Sequence, residues 1–176
     1  MRKLKIDELN RISVKEFQEA EKAELIIILD NVRSLNNVGS VFRTSDAFRI
    51  REIVLCGITA TPPHTEIHKT ALGAEDAVEW SYFEDTLDAV NYVKNKAYTV
   101  YSVEQAEGSI SLDEFEPSGS EKYAVILGNE VKGVQQKVVN SSDGCLEIPQ
   151  FGTKHSLNVS ITAGIVIWHF YLSLKQ

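Results

Sequence analysis

The chain has 176 residues, of which 43% are hydrophobic and 24% charged, with a net charge of −7. That length fits one domain around one buried core, and the lack of any apolar run of about 18 residues argues against a membrane-spanning helix. Two cysteines, Cys56 and Cys145, are too few for a disulfide framework and read as buried thiols.

The N-terminal "MRKLKIDELNRIS" alternates charges and has no apolar signal core, so a cytoplasmic protein is expected. Residues 1–24 read as a short charged segment preceding the main domain, 25–176. "LIIIL" (25–29) is a strand apolar on both faces. Residues 37–48 have helical spacing, with Val38, Val41, Phe42, Ser45 and Phe48 on one stripe. "EIVLC" (52–56) is a second strand, and "TPPHTEIHKTALGAE" a loop with a short helical turn. "LDAVNYVKN" reads as helix, "AYTVYSV" as strand, "SGSEK" as turn and "YAVIL" (123–127) as another buried strand. "VQQKVVNSS" reads as helix and "CLEIP" as a short strand, and a long apolar helix runs from about Ser156. This alternation predicts an α/β domain with a mainly parallel sheet flanked by helices.

The charge is unevenly spread. Residues 52–131 hold four lysines against fifteen acids, whereas 25–51 hold four arginines against two acids and 132–176 four lysines against two. A polyanion can therefore meet a neutral-to-basic surface built from the two ends.

Ligands of parallel sheets bind beyond the carboxyl ends of the strands, which directs attention to the stretches after Leu29, Leu127 and Ile148. In the first, Asn37 reads as an N-cap. Gly39 lets another backbone or a ligand approach, and Arg43 points away from the apolar stripe. A capped surface helix with a solvated arginine would explain this, and so would an anion-facing helix start. In the second, "LGNEVKG", Glu130 is a solvated or capping acid or a site carboxylate; the glycine spacing matches neither phosphate-loop pattern. In the third, Ser156 reads as a cap, while Asn158 is a poor helix former that needs a partner. His64 and His68 lack a third ligand, so no metal site is expected. The final helix is apolar nearly all round, which calls for a second subunit.

Together these stretches resemble the three motifs of the SpoU-type (TrmH-like) RNA ribose 2′-O-methyltransferases of the SPOUT superfamily. "NVGSVFRTS" matches N-x-G-x-x-x-R-T-A with Ser45 in place of alanine, "LGNEVKG" matches L-G-N-E-x-x-G, and "IPQFGTKHSLNVS" matches the third motif at every fixed position. The resemblance implies a C-terminal trefoil knot, which pattern alone would not propose, and a methyltransferase domain over 25–176. It also implies S-adenosylmethionine bound at Gly128, Ile148 and Leu157, and catalytic positions at Asn37, Arg43, Glu130, Ser156 and Asn158. Arg43 is then expected to assist loss of the 2′-hydroxyl proton. Because a guanidinium stays protonated at neutral pH, that assistance is read as gripping a phosphate and stabilising the developing alkoxide. Partners implied are tRNA or rRNA, with tRNA favoured, and a second copy of the chain through the knotted region. A non-catalytic RNA-binding protein of the same fold is the alternative.

Overall fold

The computed structural model describes residues 1–174. A short 3-10 turn, Ile6–Leu9, and helix α1, Val14–Glu19, precede the sheet. The elements then run β1 (Ala23–Asp30), α2 (Leu35–Ala47), β2 (Ile50–Cys56), α3 (Thr65–Ala71), α4 (Ala74–Ala77), β3 (Trp80–Phe83) and α5 (Thr86–Asn95). The second half comprises β4 (Thr99–Val103), β5 (Ile110–Ser111), β6 (Tyr123–Leu127), α6 (Gln136–Val139), β7 (Gly144–Glu147) and α7 (Val159–Leu174).

All seven strands join one sheet in the order β3-β2-β1-β6-β4-β7-β5, and every pairing is parallel. The central strands are apolar on both faces because helices cover both. Leu25, Ile27 and Leu29 of β1 face the side of α2 and α7, while Ile26 and Ile28 face the side of α5 and α6. β6 alternates in the same way, Val125 and Leu127 against Ala124 and Ile126. Strand β7 lies between β4 and β5, which the preceding chain has already joined. The knot expected from the resemblance is implied by the fold, not by the strand order, which does not describe threading.

Several expectations are corrected. The stretch read as a loop with a short helical turn holds α3 and the start of α4, and α6 has only four residues. Strands β3 and β5 add to the strands expected from the sequence; both are short and partly exposed, so neither carries an apolar signature. Helix α2 is capped by Ser34, whose Oγ accepts from Asn37 N at 3.3 Å, so Asn37 is not the cap but lies in the first turn. Helix α7 starts at Val159, with Asn158 rather than Ser156 at its cap: Asn158 Oδ1 accepts from Ser160 N at 2.8 Å. Gly39 faces protein, not ligand. A Cβ there would stand 2.2 Å from Thr70 Oγ1 and 2.3 Å from Ile67 O, so its bare Cα seats α3 against α2. Cys56 is buried, and burial pushes its thiol up to about 12. Cys145 is only half-buried.

The buried stripe of α2 is as predicted, with Val38, Val41 and Phe42 fully enclosed and Phe48 half-buried. Ser45 sits in the same stripe with its Oγ buried and without a hydrogen-bond partner among the described residues. An unmatched buried hydroxyl carries a desolvation cost, so Ser45→Ala is expected to stabilise the fold by about 1 kcal/mol in chemical denaturation.

Candidate active site

Three loops meet at the carboxyl ends of β1, β6 and β7. The loop after β1 is held by Asp30, fully buried, whose carboxylate accepts from Asn31 Nδ2 at 2.8 Å, Thr86 Oγ1 at 2.7 Å and Gln135 N at 2.9 Å. Four donors in all, Gln135 Nε2 included, satisfy it and tie β1 to the start of α6. The loop after β6 is a tight hairpin in which Asn129 and Gly133 exchange backbone hydrogen bonds of 2.9 and 3.1 Å. Gly133 takes a left-handed φ of 67°, a conformation that suits glycine. Asn129 Oδ1 accepts from Val131 N and Lys132 N, and its Nδ2 donates to Asn31 O at 2.7 Å, docking this hairpin on the β1 loop.

On this frame the motif residues converge. Glu130 Oε2 accepts from Arg33 N and its Oε1 from Ser34 N, both at 2.9 Å. Asn37 Nδ2 donates to Glu130 Oε1 at 3.1 Å, and Asn37 Oδ1 accepts from Asn158 Nδ2 at 3.1 Å. A continuous Glu130–Asn37–Asn158 chain thus joins residues about 120 positions apart. Asn158, the poor helix former that needed a partner, finds it in Asn37.

Desolvation acts to raise the Glu130 pKa, but the N–H groups of Arg33 and Ser34 and the Asn37 amide outweigh it and hold the carboxyl below its ordinary value. Glu130 is therefore an ionised anchor at neutral pH rather than a proton carrier. A depressed carboxyl pKa contributes stability above the ordinary carboxylate range, and that contribution disappears as pH falls through the folded-state value. Glu130→Gln is expected to cost up to about 1 kcal/mol at pH 7, the low end of charged hydrogen bonds because the group is exposed. Denaturation of both proteins across acidic pH checks this: the difference should shrink on acidification.

Beside this chain lies a cleft of about 860 Å³. Gly128, Ile148 and Leu157 line it, as do Glu130 and Ser156, so every position predicted for the cofactor borders one cavity. Its apolar wall includes Leu127, Val134, Val139 and Val159. Arg43 is not among the lining residues. It is exposed on α2 and has no hydrogen bond or ion pair among the described residues. Within one chain Glu130 and Ser156 line the cleft, Asn37 and Asn158 join it through their hydrogen bonds to Glu130 and to each other, and Arg43 does neither. Among the described residues no group of three or more His, Cys, Asp or Glu is placed to hold a metal ion.

A model of the SpoU rRNA methylase family matches residues 24–168. The chain belongs to this family. It is 28% identical over 159 residues to an uncharacterised tRNA/rRNA methyltransferase of Borreliella burgdorferi, covering 90% of this chain and 68% of that one. It is 27% identical over 164 residues to the tRNA (guanosine(18)-2′-O)-methyltransferase of Thermus thermophilus, covering 92% and 81%. A crystal structure of an AdoMet-bound rRNA methyltransferase from Sinorhizobium meliloti superposes with a TM-score of 0.80 at 25% identity, covering 90% of this chain and 60% of that one.

Other polar residues of this SpoU-family chain lie at the cleft and carry no motif in the sequence. Glu104 and Gln105, directly after β4, line it as well. The rule that directed attention beyond Leu29, Leu127 and Ile148 applies equally beyond Val103, and a carboxylate there was the available signal. The Arg33 and Ser34 backbone donors carried no such signal, because any residue supplies an N–H.

Proposed function

We propose that this chain is an S-adenosylmethionine-dependent methyltransferase acting on a ribose 2′-hydroxyl of RNA. The observation that carries the reading is the Glu130–Asn37–Asn158 hydrogen-bonded chain at the lip of the cleft bordered by Gly128, Ile148 and Leu157. The cleft suits the cofactor on its own terms. Apolar side chains offer a surface for a purine, and the bare Gly128 packs directly on the Gly133–Val134 backbone, so a close-fitting loop wall is formed. Gly128, Ile148 and Leu157 would hold the cofactor, which when bound supplies an electrophilic methyl group.

The rest falls to this chain's residues. Glu130 fixes the Asn37 amide, Asn37 fixes Asn158, and Asn158 caps α7, so the three motif loops hold one geometry in which a ribose can be oriented. Ser156 at the cleft mouth offers a hydroxyl to that ribose. Arg43 presents its fork of donors to the adjacent phosphate and to the oxygen as it loses its proton. The proton passes to the phosphate, to water or to a neighbouring side chain.

RNA as partner is supported by a set of unpartnered cations. Arg33, Arg43, Lys132 and Lys154 are exposed and unpaired among the described residues, whereas Lys69, Lys94 and Lys137 are paired with carboxylates. The Arg33 N–H is held by Glu130 and the Lys132 N–H by the neighbouring Asn129, and Lys154 precedes cleft-lining His155. A rim of this kind grips phosphates without reading sequence. The favoured RNA is tRNA, in line with the Thermus relative.

A homodimer completes the proposal. Ile161, Ile165, Trp168 and Leu172 recur at helical spacing along α7 and are 39–56% exposed, an apolar stripe of the kind that seats a partner. Since Arg43 stands outside the cluster within one chain, such a partner gives it a route to a neighbouring cleft. Calorimetric titration with S-adenosylmethionine, followed by labelled methyl transfer to RNA, tests the function. Binding of RNA without cofactor binding or transfer would instead identify a non-catalytic RNA-binding protein.

A further inference from the structure

On the reading of the cleft as the S-adenosylmethionine site, we infer that the Glu104 carboxylate is a positioning and selecting group that favours the cationic methyl donor over its spent, neutral product. Glu104 is the first residue after β4, and its N–H donates to Leu146 O of β7 at 3.0 Å. Its Oε1 accepts from Gln105 N and its Oε2 from Val134 N, each at 3.0 Å. A Cβ on Gly133 would stand 2.0 Å from Oε2, so the carboxylate lies directly on the bare Cα of the hairpin opposite Gly128. Gln105 Nε2 donates to His155 O at 2.9 Å, which extends the same tie to the loop after β7. Glu104 is thus held in place by three walls of the cleft and is half-buried.

What it lacks is a cation. No salt bridge reaches Glu104 among the described residues. Each oxygen has one backbone donor, where a carboxylate has about four acceptor sites in all. Glu130, the other well-anchored acid of the cleft, differs: two backbone N–H groups of one loop and one side-chain amide already engage it. A half-buried, uncompensated carboxylate facing a cavity is best matched by a ligand bearing positive charge. The methyl donor carries a sulfonium, and removal of its methyl leaves an uncharged thioether, so donor and product differ by one positive charge at nearly the same size. A fixed negative charge in a partly dry site discriminates between two such ligands by electrostatics alone. The consequence for turnover is that the spent product leaves more readily than fresh donor.

The test is calorimetric titration of the purified protein with S-adenosylmethionine and with S-adenosylhomocysteine, for the wild type and for Glu104→Gln. The wild type should prefer the charged donor by roughly tenfold, and Glu104→Gln should bring the two affinities within about threefold while largely sparing the product. An unchanged ratio, or equal loss for both ligands, overturns the inference and leaves Glu104 a purely structural tie. Failure of the wild type to bind either ligand overturns the cofactor reading and this inference together. Should Glu104→Gln not fold, judged by thermal unfolding, the salt dependence of the wild-type ratio decides. A preference that shrinks as ionic strength rises supports the role, and one indifferent to salt contradicts it.

Discussion

Arg43→Ala is expected to lower methyl transfer by about a hundred- to a thousandfold, the loss typical of removing one donor aimed at a developing oxyanion. S-adenosylmethionine affinity should stay at its wild-type value. The separation follows from where Arg43 sits. Its side chain is exposed on the face of α2 opposite the buried Val38, Val41 and Phe42, and it does not line the cleft. Removing it disturbs neither core packing nor the cofactor wall, so a change in folding or in cofactor binding has no physical source. Lysine at the same position keeps the charge but loses the planar fork, so Arg43→Lys should recover only part of the rate. Single-turnover kinetics with saturating cofactor, together with calorimetry, checks both halves. Substantial residual transfer by Arg43→Ala would remove Arg43 from the chemistry.

The second large effect is expected at Gly128. An alanine Cβ there would stand 2.1 Å from Gly133 C, 2.2 Å from Val134 N and 2.5 Å from Gly133 O. All three atoms are backbone, in the hairpin that Asn129 and Gly133 close, so no side chain can turn aside to relieve the clash. The hairpin must open, which displaces Glu130 from Asn37 and moves the Val134 N–H away from Glu104. Gly128→Ala should therefore cost about 1–3 kcal/mol of stability, as overpacking does, and weaken cofactor binding by more than tenfold. Gly152, also a motif glycine, has nothing within 4 Å of its Cβ position. Gly152→Ala should leave both stability and cofactor affinity nearly unchanged, which makes it a matched control. Equal behaviour of the two variants would show that the close packing at Gly128 does not shape the site.

These two residues also illustrate what could be read in the sequence. Gly128 and Arg43 stand out because a glycine ends a buried strand and an arginine interrupts a small-residue helix face, both local signals. The buried strands at 25–29 and 123–127 were legible for a related reason: a sheet covered on both faces writes an uninterrupted apolar run. Strand β5, with two residues at the sheet edge, writes no such run. Asn37 reads as the cap of α2 in place of Ser34 because "SLNN" offers several residues able to accept from a helix N–H. Only the tertiary partners, Glu130 and Asn158, pull Asn37 away from that duty. The role of Gly39 was ambiguous for the same reason, since the sequence shows a missing side chain but not that α3 fills the space. Strand order is a long-range property, and nothing local to β7 tells it to lie between β4 and β5. The threaded architecture entered through the motif resemblance alone.

On the proposed function, this cleft and its hydrogen-bonded lip methylate a ribose of RNA. The most direct measurement is incubation of the purified protein with isotope-labelled S-adenosylmethionine and, separately, total tRNA and rRNA, followed by nuclease digestion and mass spectrometry. A labelled 2′-O-methyl nucleoside is expected at a defined position in the tRNA sample, lost with Arg43→Ala. Label found only on a base, or no label in either RNA while the protein binds the cofactor, would contradict it.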